Sequence, residues 1–405
     1  MGTYSLNSNI YIVKGWEKHC IYDLNKGRLY SIDREALDNI VKLTNSEKKE
    51  FGVAEESLLE QLLEYDILTK KSGSFSKVHI KEPVISFAWI EVTQACNLRC
   101  VHCYNEADFQ QQGTGKKNMS FSDFQKSIDE IQKIGIKRIQ IIGGEPYILG
   151  DKLKDMLRYV KGKFEFIEIF TNGTLLKDED FKLLVENNIS RVALSVYSNI
   201  PSEHDKVTKA KGAHNKLMNT IKKLEEYSIP YRIATIRMKG IDTGIEDAGV
   251  IKAQSKFDYV RLSGRGNLQL YNKDLLRDKL ITKERFQKKL NPTIVINNMK
   301  YNNCFSSRLY IDIDLNVYPC VMERRVKHGN IHKQGIEEIL KEELIHLTKD
   351  KIDDCKYCEY RYACYDCRPD SLSGDFKGKP WYCTYNPYNG EWSNIDDFIT
   401  NMEVK

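Results

Sequence analysis

Ten of the eleven cysteines in this chain fall into two fields. The first is the stretch "CNLRCVHCY", where Cys96, Cys100 and Cys103 stand with gaps of three and two residues. The second holds Cys304, Cys320, Cys355, Cys358, Cys364, Cys367 and Cys383, with a core of the form C-x2-C-x5-C-x2-C. Thiolates are soft ligands suited to zinc or to iron–sulfur clusters. Structural zinc takes four protein ligands. The first field offers three, which in a [4Fe–4S] cube would leave one iron open for chemistry. His102, between two of these cysteines, is expected to face away from a loop wrapped around a cluster. Cys20 stands apart in a strand-like run, where a small buried hydrophobe is the expected role.

The rest of the chain must position these thiols. Its 405 residues allow more than one core. Hydrophobic residues at 41% and charged residues at 29% are ordinary for a globular protein. The net charge of +5, from 62 basic and 57 acidic side chains, is too mild and dispersed to argue for nucleic acid. No apolar run approaches the ~20 residues of a membrane helix, and "MGTYSLNSNI" is no signal peptide. A cytoplasmic location is expected, where cysteines serve metals or catalysis more often than disulfides.

Three segments separate by pattern. Residues 1–80 read as a β-hairpin about Asn25-Lys26-Gly27 followed by two amphipathic helices, a winged-helix-like module. One helix face carries Leu37, Ile40 and Val41; the other carries Leu58, Leu59, Leu62 and Leu63. "KKSGSFSKVHIKEP" is the expected linker. Residues 81–296 repeat a strand–helix unit, with the strand-like runs "ISFAWIEV", "RIQIIGG", "FIEIFTNG", "RVALSVY", "YRIATIRM" and "DYVRLS". Phe124, Ile128 and Ile131 mark an intervening helix that Gly135 can close. Alternating β and α with continuous apolar strands argues a parallel sheet. Six units fall short of the eight in a full barrel, so the expected fold is α/β, a partial (β/α)6 TIM-type barrel. Residues 297–405 have little periodicity. "TQACN", "GGEP", "TNGT" and "SVYSN" all fall at the carboxyl ends of strands, where such folds gather chemistry.

C-x3-C-x2-C beside an aromatic residue, after the first strand of a partial barrel, resembles the radical S-adenosylmethionine (radical SAM) superfamily, over residues 85–265. The resemblance implies a [4Fe–4S] cluster on Cys96, Cys100 and Cys103 whose open iron chelates SAM. It implies that Gly143, Gly144, Glu145 and Pro146 meet the methionine amino group. Thr171, Asn172 and Ser195 would serve the ribose and carboxylate, and Tyr104 the adenine. The two glycines would also let backbone approach a ligand closely. "SEHDK" at Ser202–Lys206 is similar to a His-Asp segment of peptide-modifying members. The second field resembles the SPASM extension, a C-terminal Fe–S-binding domain. There Cys355, Cys358, Cys364 and Cys383 would hold one auxiliary [4Fe–4S] cluster, and Cys304, Cys320 and Cys367 another with an open site, making three clusters. Two departures stand out: Leu315 replaces the usual hairpin glycine, with left-handed-tolerant Asn316 beside it, and the last core gap is two residues rather than three.

Residues 1–80 resemble the PqqD-like elements that hold leader peptides by strand addition. A DNA-binding winged helix is disfavoured by the acidic "ESLLEQLLEYDIL". Together the resemblances imply a peptide maturase acting on a ribosomally made precursor (RiPP), fed electrons by a flavodoxin- or ferredoxin-type donor. Reductive SAM cleavage would yield a 5′-deoxyadenosyl radical that abstracts hydrogen from the peptide, and a peptide cysteine would close an intramolecular thioether. Carbon–carbon cross-linking, epimerisation and formylglycine formation in a sulfatase are the enzymatic alternatives, and a zinc-binding scaffold the non-enzymatic one. "CFSSRLYIDI" lacks the eighth cysteine of sulfatase-maturing relatives. Asp108, Glu203 and Asp205 are candidate acid/base groups, and residues 105–118 a candidate lid.

Overall fold

The computed structural model describes residues 4–45, 52–70, 82–105, 118–247, 249–365, 367–371 and 375–403. Most of the expected linker, most of the expected lid and Asp108 lie outside them. The chain divides into two compact units, one of residues 84–279 and 304–344, the other of 1–83, 280–303 and 345–405. This division does not follow the three consecutive segments read from the sequence, because residues 304–344 hydrogen-bond into the barrel sheet.

In the barrel unit the six expected runs become strands β4 (Phe87–Glu91), β5 (Arg138–Ile142), β6 (Phe166–Thr171), β7 (Arg191–Ser195), β8 (Tyr231–Arg237) and β9 (Phe257–Tyr259). They lie side by side in parallel in chain order, an open sheet consistent with a partial TIM-type barrel. A seventh parallel strand, β10 (Arg308–Ile311), pairs with β4 in the register Arg308↔Phe87, and β11 (Asn316–Tyr318) and β12 (Gly329–Asn330) continue the sheet antiparallel. Sequence reading assigned this stretch to the C-terminal region. A four-residue strand, Arg308-Leu309-Tyr310-Ile311, carries no sign of a partner more than two hundred residues away.

The helices bury one stripe each. Helix α3 (Phe121–Lys133) starts where the Ser120 hydroxyl accepts the Asp123 N–H, and it buries Phe124, Ile128 and Ile131. Gly135, just past its end, takes the left-handed φ of +76° that a helix stop favours. Inside the barrel Glu168 is 3% exposed. Burial opposes its ionisation, but the guanidiniums of Arg232 and Arg191 outweigh that and hold its carboxyl below the usual range.

The other unit begins with a three-stranded antiparallel meander, β1 (Ile10–Lys14), β2 (His19–Asp23) and β3 (Arg28–Ile32), followed by helices α1 (Arg34–Asn45) and α2 (Val53–Glu64). Leu37, Ile40, Leu59 and Leu62 are buried as expected; Leu43 is buried too, while Val41 is exposed. The meander seats on the loop around Cys358 in the same unit. Tyr22 Oη donates to the Glu359 carbonyl at 2.9 Å, the Trp16 N–H to the Tyr357 carbonyl at 2.8 Å, and Arg361 to the Lys14 carbonyl at 2.8 Å. No described helix is long and apolar enough to cross a membrane.

The turn from β10 to β11 corrects one expectation. Leu315 itself, not Asn316, adopts the left-handed backbone, with φ +62°, and its side chain is fully buried in the main core. Relieving a left-handed non-glycine is worth about 1–2 kcal/mol, whereas truncating a buried leucine costs about 2–5 kcal/mol. Leu315→Gly should therefore destabilise the protein by a net of about 2 kcal/mol, the difference between the centres of the two ranges. A thermal scan that found the glycine variant as stable as the wild type, or more so, would show the backbone term dominating.

Candidate active site

The loop after β4 carries Cys96, Cys100 and Cys103 to the carboxyl ends of the parallel strands. There the three thiols share a cavity of about 530 Å³ with Tyr104, Gly143, Gly144, Thr171, Asn172 and Ser195. Six of the eight expected cofactor contacts thus line one space, and Glu145 and Pro146 do not. Gly143 and Gly144 are required by chain packing: a Cβ at Gly144 would stand 2.1 Å from the Ala95 carbonyl oxygen, and one at Gly143 2.6 Å from that of Thr93. The backbone they approach is the root of the cysteine loop, which the Gly144 and Glu145 N–H groups bond at 2.7 and 2.8 Å.

Glu145 lies behind this wall. Its fully buried carboxyl accepts the Thr171 hydroxyl at 2.7 Å, the Asn172 N–H at 2.7 Å and the Tyr147 N–H at 3.1 Å. Burial raises its pKa to about 7 despite those donors. The "TNGT" turn it holds is tied in turn to the cysteine loop. Asn172 Nδ2 donates to Asn97 Oδ1 at 2.9 Å, and Asn97 Nδ2 to Thr174 Oγ1 at 2.8 Å. Asn97 was not singled out in the sequence, although its place between two cysteines was the available signal.

His102, expected to face away from a cluster held by the cysteine loop, is instead at the cavity. It lies edge-on to Tyr197 with ring centroids 4.9 Å apart, and its buried Nε2 has no hydrogen-bond partner among the described residues. Arg265 and Met322 also line the space. By contrast "SEHDK" is structural. Asp205 accepts the Gly212 and His214 N–H groups and so starts helix α4 (Ala213–Glu226), while buried His204 stacks on Tyr197. Asp205 is thereby removed from the acid/base candidates. Glu203 is paired with Lys206 at 3.7 Å and with the Asp242 N–H.

In the other unit Cys355, Cys358, Cys364 and Cys383 surround a single cavity with Lys379 and Arg361. Cys367 of that unit is not on it; its N–H donates to the Tyr382 hydroxyl at 2.9 Å. Cys304 and Cys320 belong to the barrel unit, where burial, with a lesser contribution from nearby Cys304, pushes the Cys320 thiol up to about 11. Cys20 is wholly buried in β2, its thiol pushed up by burial.

These thiols fit a multi-iron cluster. Burial pushes Cys96, Cys100, Cys355 and Cys383 up to about 12, so a bound cation must supply the charge that makes them thiolates. Among the described residues no three His, Cys, Asp or Glu are gathered closely enough for a single ion. Thiols spread around a cavity suit a cluster that reaches each of them.

The Glu145 carboxyl offers a test of this architecture. Its folded pKa near 7 exceeds the unfolded value of 4.5, so the folded state holds the proton longer. Its contribution to stability therefore falls as pH rises from about 4.5 to about 7. Glu145→Gln should flatten that part of the stability–pH curve; denaturation of both proteins across the window would reveal equal slopes if the carboxyl were ordinary.

Comparison with known proteins agrees with this geometry. Residues 90–297 match the Radical SAM superfamily, and residues 304–368 match SPASM, an iron-sulfur cluster-binding domain. The antilisterial bacteriocin subtilosin biosynthesis protein AlbA of Bacillus subtilis (strain 168) is 27% identical, over 70% of this chain and 68% of its own length. A cysteine-type anaerobic sulfatase-maturating enzyme of Clostridium novyi (strain NT) is 25% identical, over 66% of this chain and 83% of its own. Streptococcus suis SuiB bound to precursor peptide SuiA has a similar fold, with TM-score 0.53 and 14% identity over 90% of this chain and 96% of that one. Native anSMEcpe with bound AdoMet does too, with TM-score 0.52 and 16% identity over 78% of this chain and 98% of that one. The superfamily match spans more than half of the 405 residues: this chain belongs to the radical SAM superfamily and is an enzyme of it that carries a SPASM iron–sulfur domain.

Proposed function

We propose that this enzyme matures a ribosomally made precursor peptide by closing a thioether between a peptide cysteine and a carbon of the same peptide. The observation that carries the reading is the cavity at the strand ends, where three thiols, two glycines, Asn172 and Ser195 share about 530 Å³. That volume lies within the range of small-ligand sites. Peptide maturation is supported by the similarity to AlbA and by the fold shared with SuiB.

In this reading Cys96, Cys100 and Cys103 hold the SAM-binding cluster. Bound there and reductively cleaved by one electron, SAM would supply a 5′-deoxyadenosyl radical to take a hydrogen atom from a peptide carbon; as the C–S bond forms, the cysteine thiol would release its proton and the remaining electron would pass to an auxiliary cluster. The chain's own residues position and shield. Gly143 and Gly144 keep the strand ends close to the cysteine loop, Glu145 fixes Thr171 and Asn172, and Phe170, Ile233, Ile236 and Met322 give the cavity an apolar wall against water. Ser195 and Tyr104 face the same space. Cys355, Cys358, Cys364 and Cys383 would hold one auxiliary cluster, and Cys304, Cys320 and Cys367 a second with an open position, for three in all. A flavodoxin- or ferredoxin-type protein would supply electrons. The outer edge of β3 makes no backbone bond beyond its own sheet among the described residues, and a leader peptide would add there as a further strand.

The similarity to the sulfatase-maturating enzyme favours a second reading, formylglycine formation in a protein substrate. The absence of a further cysteine in "CFSSRLYIDI" weighs against it. Mass spectrometry of product separates the two: a thioether removes the mass of two hydrogens per bond and blocks the cysteine from alkylation.

Mutants test the ligand assignment. Cys100→Ala should abolish SAM cleavage. Cys383→Ala should lose mature peptide while the SAM-responsive cluster still assembles, at about four irons fewer per chain than the ~12 of three cubes. Equal loss of all iron in both variants would contradict the partition.

A further inference from the structure

The end of the last parallel strand reaches back over the cysteine loop. After β9 the chain runs through "VRLSGRG", Val260–Gly266, and turns sharply, the Gly266 N–H meeting the Ser263 carbonyl at 3.0 Å. Two glycines make this turn possible. A Cβ on Gly266 would lie 2.0 Å from the Arg261 carbonyl oxygen. Gly264, at φ +59°, presses so closely on the loop that a Cβ would stand 2.4 Å from the Cys103 carbonyl oxygen and 2.6 Å from that of Tyr104. Arg265 between them takes two carbonyls of cysteine residues: its backbone N–H donates to Cys103 at 2.9 Å and its Nε to Cys100 at 2.9 Å. It also lines the cavity shared by Cys96, Cys100 and Cys103.

A permanently charged guanidinium holds the main chain of Cys100, and the backbone N–H of the same residue holds that of Cys103, both proposed as ligands. We propose that Arg265 is a positioning residue for the SAM-binding cluster, clamping the Cys100–Cys103 segment and stabilising the added negative charge when the cluster takes up one electron from its external one-electron donor. Arginine suits the task because its charge persists at every working pH and its planar fork can serve a carbonyl while remaining beside the metal centre. Hydrogen bonds and charge around the sulfurs are established levers on cluster potential. The inference rests on the assignment of Cys96, Cys100 and Cys103 as ligands.

The test uses the full-length protein, reconstituted anaerobically, as wild type, Arg265→Gln and Arg265→Lys. Iron content is measured, and the electron paramagnetic resonance signal that responds to added SAM is followed through a redox titration with dithionite. Arg265→Gln should retain wild-type iron, yet at the potential that half-reduces the wild type its SAM-responsive signal should fall about tenfold. Arg265→Lys, which keeps the charge, should return the signal to within about twofold of wild type. Iron loss confined to the glutamine variant would also support the proposal, since charge then holds the loop. An iron-replete Arg265→Gln that titrates like wild type, a lysine variant as impaired as the glutamine one, or iron loss in both would overturn it. A wild-type protein without any SAM-responsive signal would instead remove the ligand assignment beneath it.

Discussion

Everything at the mouth of the barrel depends on two backbones lying closer than any side chain would permit. Gly143 and Gly144 run against Thr93 and Ala95, where a Cβ would come within 2.6 Å and 2.1 Å of carbonyl oxygens. That contact seats the base of the cysteine loop on the neighbouring strand. The carboxyl of Glu145 then extends the hold to the third strand through Thr171 and Asn172, and Asn172 passes it back to the loop through Asn97. Three consecutive strand ends are thus locked to one another by main-chain approach and by one buried acid.

The second constraint is electrostatic. Thiols this deeply buried resist ionisation, and the protein around Cys96, Cys100, Cys355 and Cys383 does not remove that resistance. An iron–sulfur cluster does so by bringing its own positive charge, so the cysteine loops are arranged for an inorganic partner more than for acid–base or nucleophilic chemistry. Arg265 is a fixed cation that the barrel unit directs at the loop.

The unit that carries Cys355, Cys358, Cys364 and Cys383 also contains the N-terminal meander. Tyr22, Trp16 and Lys14 reach the stretch from Tyr357 to Arg361, between two of these thiols. The meander and a thiol-lined cavity therefore belong to one compact unit. Residues more than three hundred apart in the chain build it, which makes the N-terminal strands part of the fold rather than an appendage.

Local spacing determined what could be read in one dimension. The thiol intervals, the six apolar strand runs and the glycine stop after α3 are short-range features, because ligand bite, side-chain alternation and backbone freedom act within a few residues. Tertiary structure alone decided the partners. It set β10 beside β4, gave the left-handed backbone to Leu315 rather than to Asn316, turned Asp205 into a helix cap, and brought His102 and Arg265 to the cavity. Parallel pairing and side-chain direction depend on which distant segments exclude water together, and no window of neighbouring residues contains that information.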